Sequence, residues 1–433
     1  MGNSIGIGLL GYGTVGSGVY ENLVRNGDLM RERLGIELQI ERIAVRDPRR
    51  ARSAPAELFT SDIASVIGNP RVRIVVELMG GKDAARAAIE AALRADKVVV
   101  TGNKALLAEH GAEIFSLSEE LSVPVFFEAS TAGGIPIIKA VREAFVANHF
   151  LSFHGIINGT SNYILSRMTE AGLDFPAALA EAQAQGYVEA DPTLDINGWD
   201  AAHKAIILAS LAYGRWVRPH DISVEGIERV SAADIRFARQ LGYRIKLIGR
   251  ISADAEGTIS VGVHPTLIPQ DHVLASVNGV FNAIAVKGDV VGDALFYGRG
   301  AGSGPTASAV LADIADAATA LVNRGTPRCS GFRAHGLYGQ ALPPDEAVSR
   351  YYLRLAVEDR PGVLGQVAAA LGRAGIGISS ALQPEQHDAN DLAQLILMLD
   401  RARHAQVKTA LSEIEAMTCV SPPAALLRVE TFA

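Results

Sequence analysis

An apolar strand-like run, SIGIGLL at residues 4–10, leads straight into Gly11-Tyr12-Gly13-Thr14-Val15-Gly16 and then into a helix-like pattern through about Val24. A lone GxGxxG match is weak, but one that closes a strand and opens a helix constrains the chain strongly. Gly11 permits the tight turn, Gly13 lets a pyrophosphate approach the backbone, and Gly16 lets the helix pack on the sheet. Phosphates would sit at the helix N-terminus, where N–H groups point outward. A glycine-rich turn with no ligand is the weaker reading. Further strand patterns follow at 38–45 (LQIERIAV) and 73–80 (RIVVELMG), then as KVVVTG and VPVFFEAS. Helical patterns lie between them, DAARAAIEAALRA and a run from Lys104 to about Glu120. Near-continuous apolar strands alternating with helices predict an α/β fold with a parallel sheet covered on both faces. Residues 1–135 are therefore expected to form a Rossmann-type NAD(P)-binding domain.

Residues 136–325 read as a second α/β domain, with strand-like FLSFHGIING, IKLIGRISA, TISVGVHPTLI and NAIAVKGD among helical runs. From 298, GRGAGSGPTASAVLADIADAATALV is a Gly-rich loop entering an Ala-rich helix, and the helix over 305–325 is expected to pack back on the first domain. Residues 326–348, with prolines at 327, 343 and 344, read as a linker. Residues 349–433 run βαββαβ, a separate C-terminal domain of ferredoxin-like arrangement. A length of 433 residues suits two or three domains at ~100–200 residues each. A net charge of -7 argues against a nucleic-acid binder. Cys329 and Cys419 are too few and too far apart for a disulfide framework or a zinc pattern, which fits a reducing cytoplasm. No basic stretch precedes the first apolar run, so no signal peptide is expected. No apolar run is expected to span a bilayer.

The segment carrying most chemistry is GYVEADPTLDINGWDAAHK, residues 186–204. Glu189, Asp191, Asp195 and Asp200 precede one lysine, Lys204. Pro192, Asn197 and Gly198 break the acidic half into turns, and WDAAHKAIILASLAY reads as a helix. Asp200 and Lys204 are four apart and share a helix face. A lysine among Ile207, Leu208 and Leu211 should be desolvated, with a lowered pKa. A poised lysine beside positioned carboxylates suits proton transfer. A surface i,i+4 salt bridge is the competing reading.

Other strand ends add candidates. The second strand ends Val45-Arg46-Asp47-Pro48-Arg49-Arg50. An acidic residue there binds a ribose 2′-hydroxyl and an arginine favours a 2′-phosphate. Arg46 leans the choice to NADP, while Asp47 keeps NAD open. Lys104, after Thr101-Gly102-Asn103, stands where ligands gather beyond strand C-termini. It sits at a helix start, a poor place for a cation. Glu128-Ala-Ser-Thr-Ala-Gly-Gly-Ile135 offers bent backbone and one carboxylate, which suit a hard cation; a plain loop explains it too. Asn158-Gly159-Thr160-Ser161-Asn162 can hold a carboxylate at a helix start, and helix capping explains the same residues.

Taken together, GYGTVG, TGNKALLA, FEASTAGGIPII, INGTSNYIL, GYVEADPTLDINGWDAAHK, GRGAGSGPT and DRPGVL resemble homoserine dehydrogenases of the bacterial type that carry a C-terminal ACT domain. The resemblance implies a catalytic and dimerisation domain in the middle of the chain. It also implies NAD(P)H-dependent, reversible reduction of L-aspartate 4-semialdehyde to L-homoserine, in threonine and methionine biosynthesis. By the same carry-over, Lys204 is the proton donor and Lys104 a second essential lysine. Asp200 orients Lys204 and substrate, and Glu189 and Asp195 hold the substrate ammonium. Gly186 and Gly302 join the cofactor contacts. Glu128 with the backbone of Thr131, Gly133 and Ile135 forms a structural sodium site. A homodimer or homotetramer and an L-threonine effector at the ACT domain are further expectations, with Asp359 and Gly362 in the effector loop. A catalytically silent amino-acid and nucleotide sensor built from the same modules is the rival reading; a buried acid such as Lys204 speaks against it.

Overall fold

The computed structural model describes residues 3–50, 52–188, 191–323, 331–385 and 391–432. Glu189 and the first five residues of the 326–348 segment, 326–330 with Cys329, lie outside the described residues. The first sheet is parallel and six-stranded, in the order β3-β2-β1-β4-β5-β6. Its strands are β1 (Asn3–Leu10), β2 (Ile36–Ala44), β3 (Phe59–Thr60), β4 (Val72–Glu77), β5 (Val98–Thr101) and β6 (Val125–Phe126). β1, β4 and β5 are apolar on both faces and almost entirely buried, because helices cover the sheet on either side. The strand expected through Ser130 stops at Phe126. From Glu128 the chain instead coils into a short 3-10 turn that brings Glu128 against the next helix start.

The first helix, Thr14–Leu34, outruns its expected end at Val24 by almost three turns and stops at Gly35 in the left-handed region, with φ 66°. Its N-terminal half packs tightly. A Cβ on Gly18 would meet Ser303 Oγ at 2.4 Å. That close approach docks the Ser303–Val322 helix on the nucleotide-binding sheet, as expected. Contrary to the expectation of no spanning run, this helix is long and apolar enough to cross a membrane. Its apolar face is spent inside the protein instead: Ala307, Val310, Leu311, Ile314, Ala317 and Ala318 are buried in the core of the first domain.

The second sheet has ten strands and runs through the rest of the chain. It contains β7 (Phe150–Ile156), β8 (Ser223–Val224), β9 (Tyr243–Ala253), β10 (Ile259–Pro269), β11 (Phe281–Gly288) and β12 (Gly292–Arg299). The C-terminal region adds β13 (Val348–Val357), β14 (Ile378–Leu382), β15 (Ala393–Arg403) and β16 (Val420–Val429). Two helices, Val363–Arg373 and His404–Glu415, complete the expected βαββαβ order. The path is β12-β11-β7-β9-β10-β16-β13-β15-β14, with β8 beside β10. The sequence reading of a separate C-terminal domain needs correcting here. β16 pairs in parallel with β10 through Thr266–Arg428 and Leu267–Val429, so the two regions share one sheet. A buried ion pair reinforces the join: Arg354 Nε donates to Asp234 Oδ1 at 2.6 Å, and the Tyr352 hydroxyl donates to the same oxygen at 3.1 Å. Glu430, just past β16, contacts Arg250 at 3.0 Å.

β12 was not expected as a strand. Its residues, GDALFYGR, alternate exposed and half-buried along a sheet edge. The Trp199–Tyr213 helix is buried almost all round, so its few polar side chains face other protein groups.

Candidate active site

Asp200 is the meeting point. It lies in the first turn of the Trp199–Tyr213 helix, where a carboxylate is favoured by the helix dipole. Lys204 Nζ donates to Asp200 Oδ2 at 2.6 Å and to the Ile157 carbonyl at 2.7 Å. Asn158 Nδ2 donates to Asp200 Oδ2 at 2.8 Å and to Asp195 Oδ1 at 2.7 Å. Lys104 Nζ reaches Asp200 Oδ1 at 3.1 Å. Three segments from both sheets thus converge on one carboxylate: the end of β5, the end of β7, and the 195–204 helices.

Each group is placed by local structure. Asn103 Oδ1 caps the Lys104–Leu121 helix at Leu106 N, so Lys104 begins the helix at the carboxyl edge of the nucleotide-binding sheet. The positive helix end disfavours a cation there, by up to ~1 kcal/mol; Asp200 offsets that cost. Asn158 Oδ1 caps the Gly159–Ala171 helix at Ser161 N. Its amide nitrogen is left to bind the two carboxylates, so capping and site function are both served by one side chain. Thr160 Oγ1 donates to the Tyr187 carbonyl, which ties the 186–188 segment to this turn.

The electrostatics are those of a buried acid–base cluster. Burial pushes the Asp200 carboxyl up, but the ammonium groups of Lys204 and Lys104 outweigh it and hold the group ionised, well below the usual carboxylate range. Burial lowers Lys204, assisted by the Lys104 charge and opposed by Asp200. The Lys204 side chain is 10 % exposed and that of Lys104 39 %, so the two lysines differ in solvent access. Burial and the neighbouring Asp200 raise Asp195. The surface salt-bridge reading is excluded by this burial.

Glu77 is a site group that the sequence reading missed. It is wholly buried at the end of β4, accepting from Met79 N and from Thr101 Oγ1, both at 2.8 Å. It ties the ends of β4 and β5 together beside the glycine loop. A glutamate closing an otherwise apolar strand, RIVVEL, was the signal available. At the second strand end, Arg46, Arg49 and Arg50 are exposed, whereas Asp47 Oδ1 accepts the Arg49 N–H at 3.0 Å and serves the turn. Gly13 and Gly302 begin the Thr14–Leu34 and Ser303–Val322 helices without any side-chain cap. The crossing at Gly18 and Ser303 brings those two N-terminal regions together.

In the 128–135 loop the Glu128 carboxylate has protein partners. Its two oxygens accept the N–H groups of Ile138 (3.0 Å) and Lys139 (2.7 Å), anchoring the helix start there. Among the described residues no cluster of three acidic, histidine or cysteine side chains suits a metal. Thr131 Oγ1, in the same loop, is buried without a hydrogen-bond partner.

These features define an NAD(P)-dependent oxidoreductase with a C-terminal ACT domain. Residues 11–128 match the family model "Homoserine dehydrogenase, NAD binding domain", 136–315 match "Homoserine dehydrogenase" and 351–418 match "ACT domain". The chain is 45% identical to a homoserine dehydrogenase of Pseudomonas aeruginosa, covering 98% of each chain. It superposes on the crystal structure of a homoserine dehydrogenase from Thiobacillus denitrificans with TM-score 0.93 at 41% identity, covering 99% of each chain. A hyperthermophilic archaeal homoserine dehydrogenase in complex with NADPH matches with TM-score 0.63 at 26% identity, over 75% of this chain and 100% of the other. The chain belongs to the homoserine dehydrogenase family, enzymes of amino-acid biosynthesis.

Burial raises Glu128 from 4.5 to about 7 and lifts its buried neighbour Asp313 well above the ordinary range, while Arg142 and Lys139 oppose. A carboxyl whose folded pKa exceeds its unfolded value contributes stability that is full below about 4.5 and lost as pH rises through about 7. For Glu128 this amounts to on the order of 3 kcal/mol, at roughly 1.4 kcal/mol per tenfold change in proton affinity. Thermal scans of Glu128→Gln should therefore show a smaller fall in unfolding midpoint between pH 5 and 8 than the parent protein. An unchanged pH dependence would remove Glu128 as its source.

Proposed function

We propose that the Asp200 cluster reduces L-aspartate 4-semialdehyde to L-homoserine with NADPH, Lys204 giving the proton. One observation carries this reading: a buried lysine, a second lysine and an asparagine all converge on Asp200 at the carboxyl edge of a dinucleotide-binding sheet. The bound nicotinamide supplies the hydride. As negative charge grows on the aldehyde oxygen, the Lys204 ammonium stabilises it and passes its proton from Nζ. Asp200 keeps Lys204 charged despite burial and aims it, with the Ile157 carbonyl as second anchor. Lys104, more exposed, stands between the two sheets and borders both substrate and nicotinamide. Asp195, with Glu189 outside the described residues, binds the substrate ammonium. The helix start at Gly159 and Thr160 takes its carboxylate.

Gly11 to Gly16, with Gly186 and Gly302, hold the dinucleotide. Arg46 favours a 2′-phosphate, since Asp47 is occupied within its own turn. The main-chain oxygens of Glu128, Thr131, Gly133 and Ile135 hold a sodium ion, a fit supported by the unpartnered Thr131 Oγ1. Sodium chloride should then raise the unfolding midpoint above that in choline chloride at equal ionic strength; equal midpoints remove the ion. Residues 1–135, 136–325 and 349–433 serve as nucleotide, catalytic and regulatory domains of a cytoplasmic enzyme. A second copy covers the outer face of β7, β11 and β12, where Leu151, Val291, Leu295 and Tyr297 are exposed. Light scattering should read at least twice 45.7 kDa; a monomer mass overturns this.

The ACT domain accounts for an amino-acid effector, here L-threonine. A pocket between Val357 and Gln383 is lined by Asp359, Arg360 and Gly362, and Gly362 starts the Val363–Arg373 helix uncapped. L-Threonine should inhibit NADPH oxidation by the full chain, and Asp359→Ala should abolish that inhibition while leaving basal turnover intact. Inhibition that survives Asp359→Ala places the effector elsewhere.

Lys204→Ala should abolish turnover and leave NADPH binding nearly intact. In the reductive direction, kcat should fall on an alkaline limb where Lys204 loses its proton, below a lysine's ordinary value of about 10.4. Asp200 raises the pKa of Lys204, so Asp200→Asn should move that limb to lower pH. A limb that stays in place under Asp200→Asn counts against Lys204 as the acid.

A further inference from the structure

Asn282 is buried to 1 % exposure, and its Nδ2 and Oδ1 both lack hydrogen-bond partners. A buried, unpaired amide costs about 1–3 kcal/mol per group, so a chain that keeps one calls for an explanation. The position of this one is informative. Asn282 opposes Gly298 across β11 and β12, and its neighbour Ala283 opposes Ile156 at the end of β7. It therefore lies where two loops leave the sheet: Gly300–Gly302 after β12 and Asn158–Thr160 after β7. Glycines let both loops crowd it. A Cβ on Gly300 would come within 1.9 Å of Asn282 Nδ2, and one on Gly159 within 3.6 Å of Oδ1. On its far side Gly300 meets the 128–135 loop, where a Cβ on Gly133 would fall 2.5 Å from the Gly300 carbonyl.

The amide itself is held in a fixed frame. Asn162 Nδ2 donates to the carbonyls of Val277, Gly279 and Phe281, and the buried Lys246 ammonium donates to Val277 O, Asn278 Oδ1 and Asn162 Oδ1. The strand start bearing Asn282 is thus clamped to the Gly159–Ala171 helix. The glycine-rich loop after β12 is held on its other side, where the Arg299 carbonyl accepts the Gly134 N–H at 3.1 Å, while Gly302 adopts φ 115° and its helix start has no side-chain cap.

We propose that Asn282 is a positioning residue of the dehydrogenase reaction. Its carboxamide takes up hydrogen bonds with the main chain of the 299–302 loop when that loop closes on bound dinucleotide, locking the cofactor side of the site against the substrate side at Asn158–Thr160. The proposal rests on the reading that the 299–302 loop borders the cofactor. An apolar side chain of similar size removes the unpaired amide from the free enzyme and removes the lock from the closed one. Stability and activity should therefore part company in Asn282→Leu. The free protein should keep or raise its unfolding midpoint, while kcat falls roughly tenfold or more and the rise in midpoint given by NADPH shrinks. A midpoint lowered by several degrees with kcat held within about twofold would show a structural amide satisfied by internal water, and would overturn the proposal.

Hydrogen exchange on the parent enzyme covers the case in which Asn282→Leu fails to fold. Amides of residues 299–302 should gain protection with NADPH, and unchanged exchange overturns the closure. Gly302→Val tests the underlying reading alone: undiminished NADPH affinity there takes the loop out of the cofactor site and the proposal with it. Loss of affinity in Gly302→Val beside unaltered turnover in Asn282→Leu defeats only the role of Asn282.

Discussion

The candidate active site is organised by the carboxylate of Asp200. A buried ion is costly, by several kcal/mol even after relaxation, and it is tolerable here only because three donors converge on it. Lys204 comes from the same helix, Lys104 from the helix start after β5 of the nucleotide-binding sheet, and Asn158 from the end of β7. Satisfying Asp200 therefore requires both sheets to be in place at once. The cluster carries Lys104 and Lys204 against Asp195 and Asp200, so its charges balance. A zwitterionic amino acid can enter such a site without leaving net charge buried.

Much of this was legible in the sequence because two patterns survive any context. The strand–GxGxxG–helix passage and the alternation of apolar strands with helices predict the first sheet, and the i,i+4 spacing of Asp200 and Lys204 predicts their contact. What was not legible depended on partners distant in sequence. Periodicity is blind to who accepts a hydrogen bond, so nothing in the sequence showed that the Glu128 carboxylate accepts the N–H groups of Ile138 and Lys139. NAIAVKGD read correctly as a strand, but nothing in it marks Asn282 as buried and unpaired. GDALFYGR was passed over because an edge strand beside solvent keeps apolar and polar residues without a buried face to sort them. Helix Thr14–Leu34 ran long because its second half is mostly polar and meets the core only through partly buried residues such as Met30 and Leu34.

The boundary at the C-terminal domain has the same origin. Composition separates residues 349–433 from the rest, and their βαββαβ order is self-contained, with a core of its own. Yet the last strand pairs with β10, and one charge pair across the join, Arg354–Asp234, is buried. Asp234 has no side-chain exposure and receives Arg354, Tyr352 and Ser231 together. Glu430 is pushed up by burial but held near 2 by His154 and Arg250 on the catalytic strands. Ser231 apart, none of these partners can be inferred from local sequence, since each lies more than a hundred residues from its mate.

This shared sheet changes what a truncation means. Ending the chain ahead of β13 would strip β10 of its neighbour and open an unpaired edge. Loss of activity in such a fragment would then report damage to the catalytic fold, not release from regulation. The two regions are also mechanically continuous: β16 pairs with β10, β10 with β9 and β9 with β7. β7 leads into Ile157, whose carbonyl anchors Lys204. Continuity alone transmits no energy, because coupling needs an element with two states that both sites bias. It does fix where that element has to lie. An effector at the Asp359 pocket can reach Lys204 along the sheet only by changing the β16–β10 pairing, the one ladder between named strands that joins the two regions among the described residues.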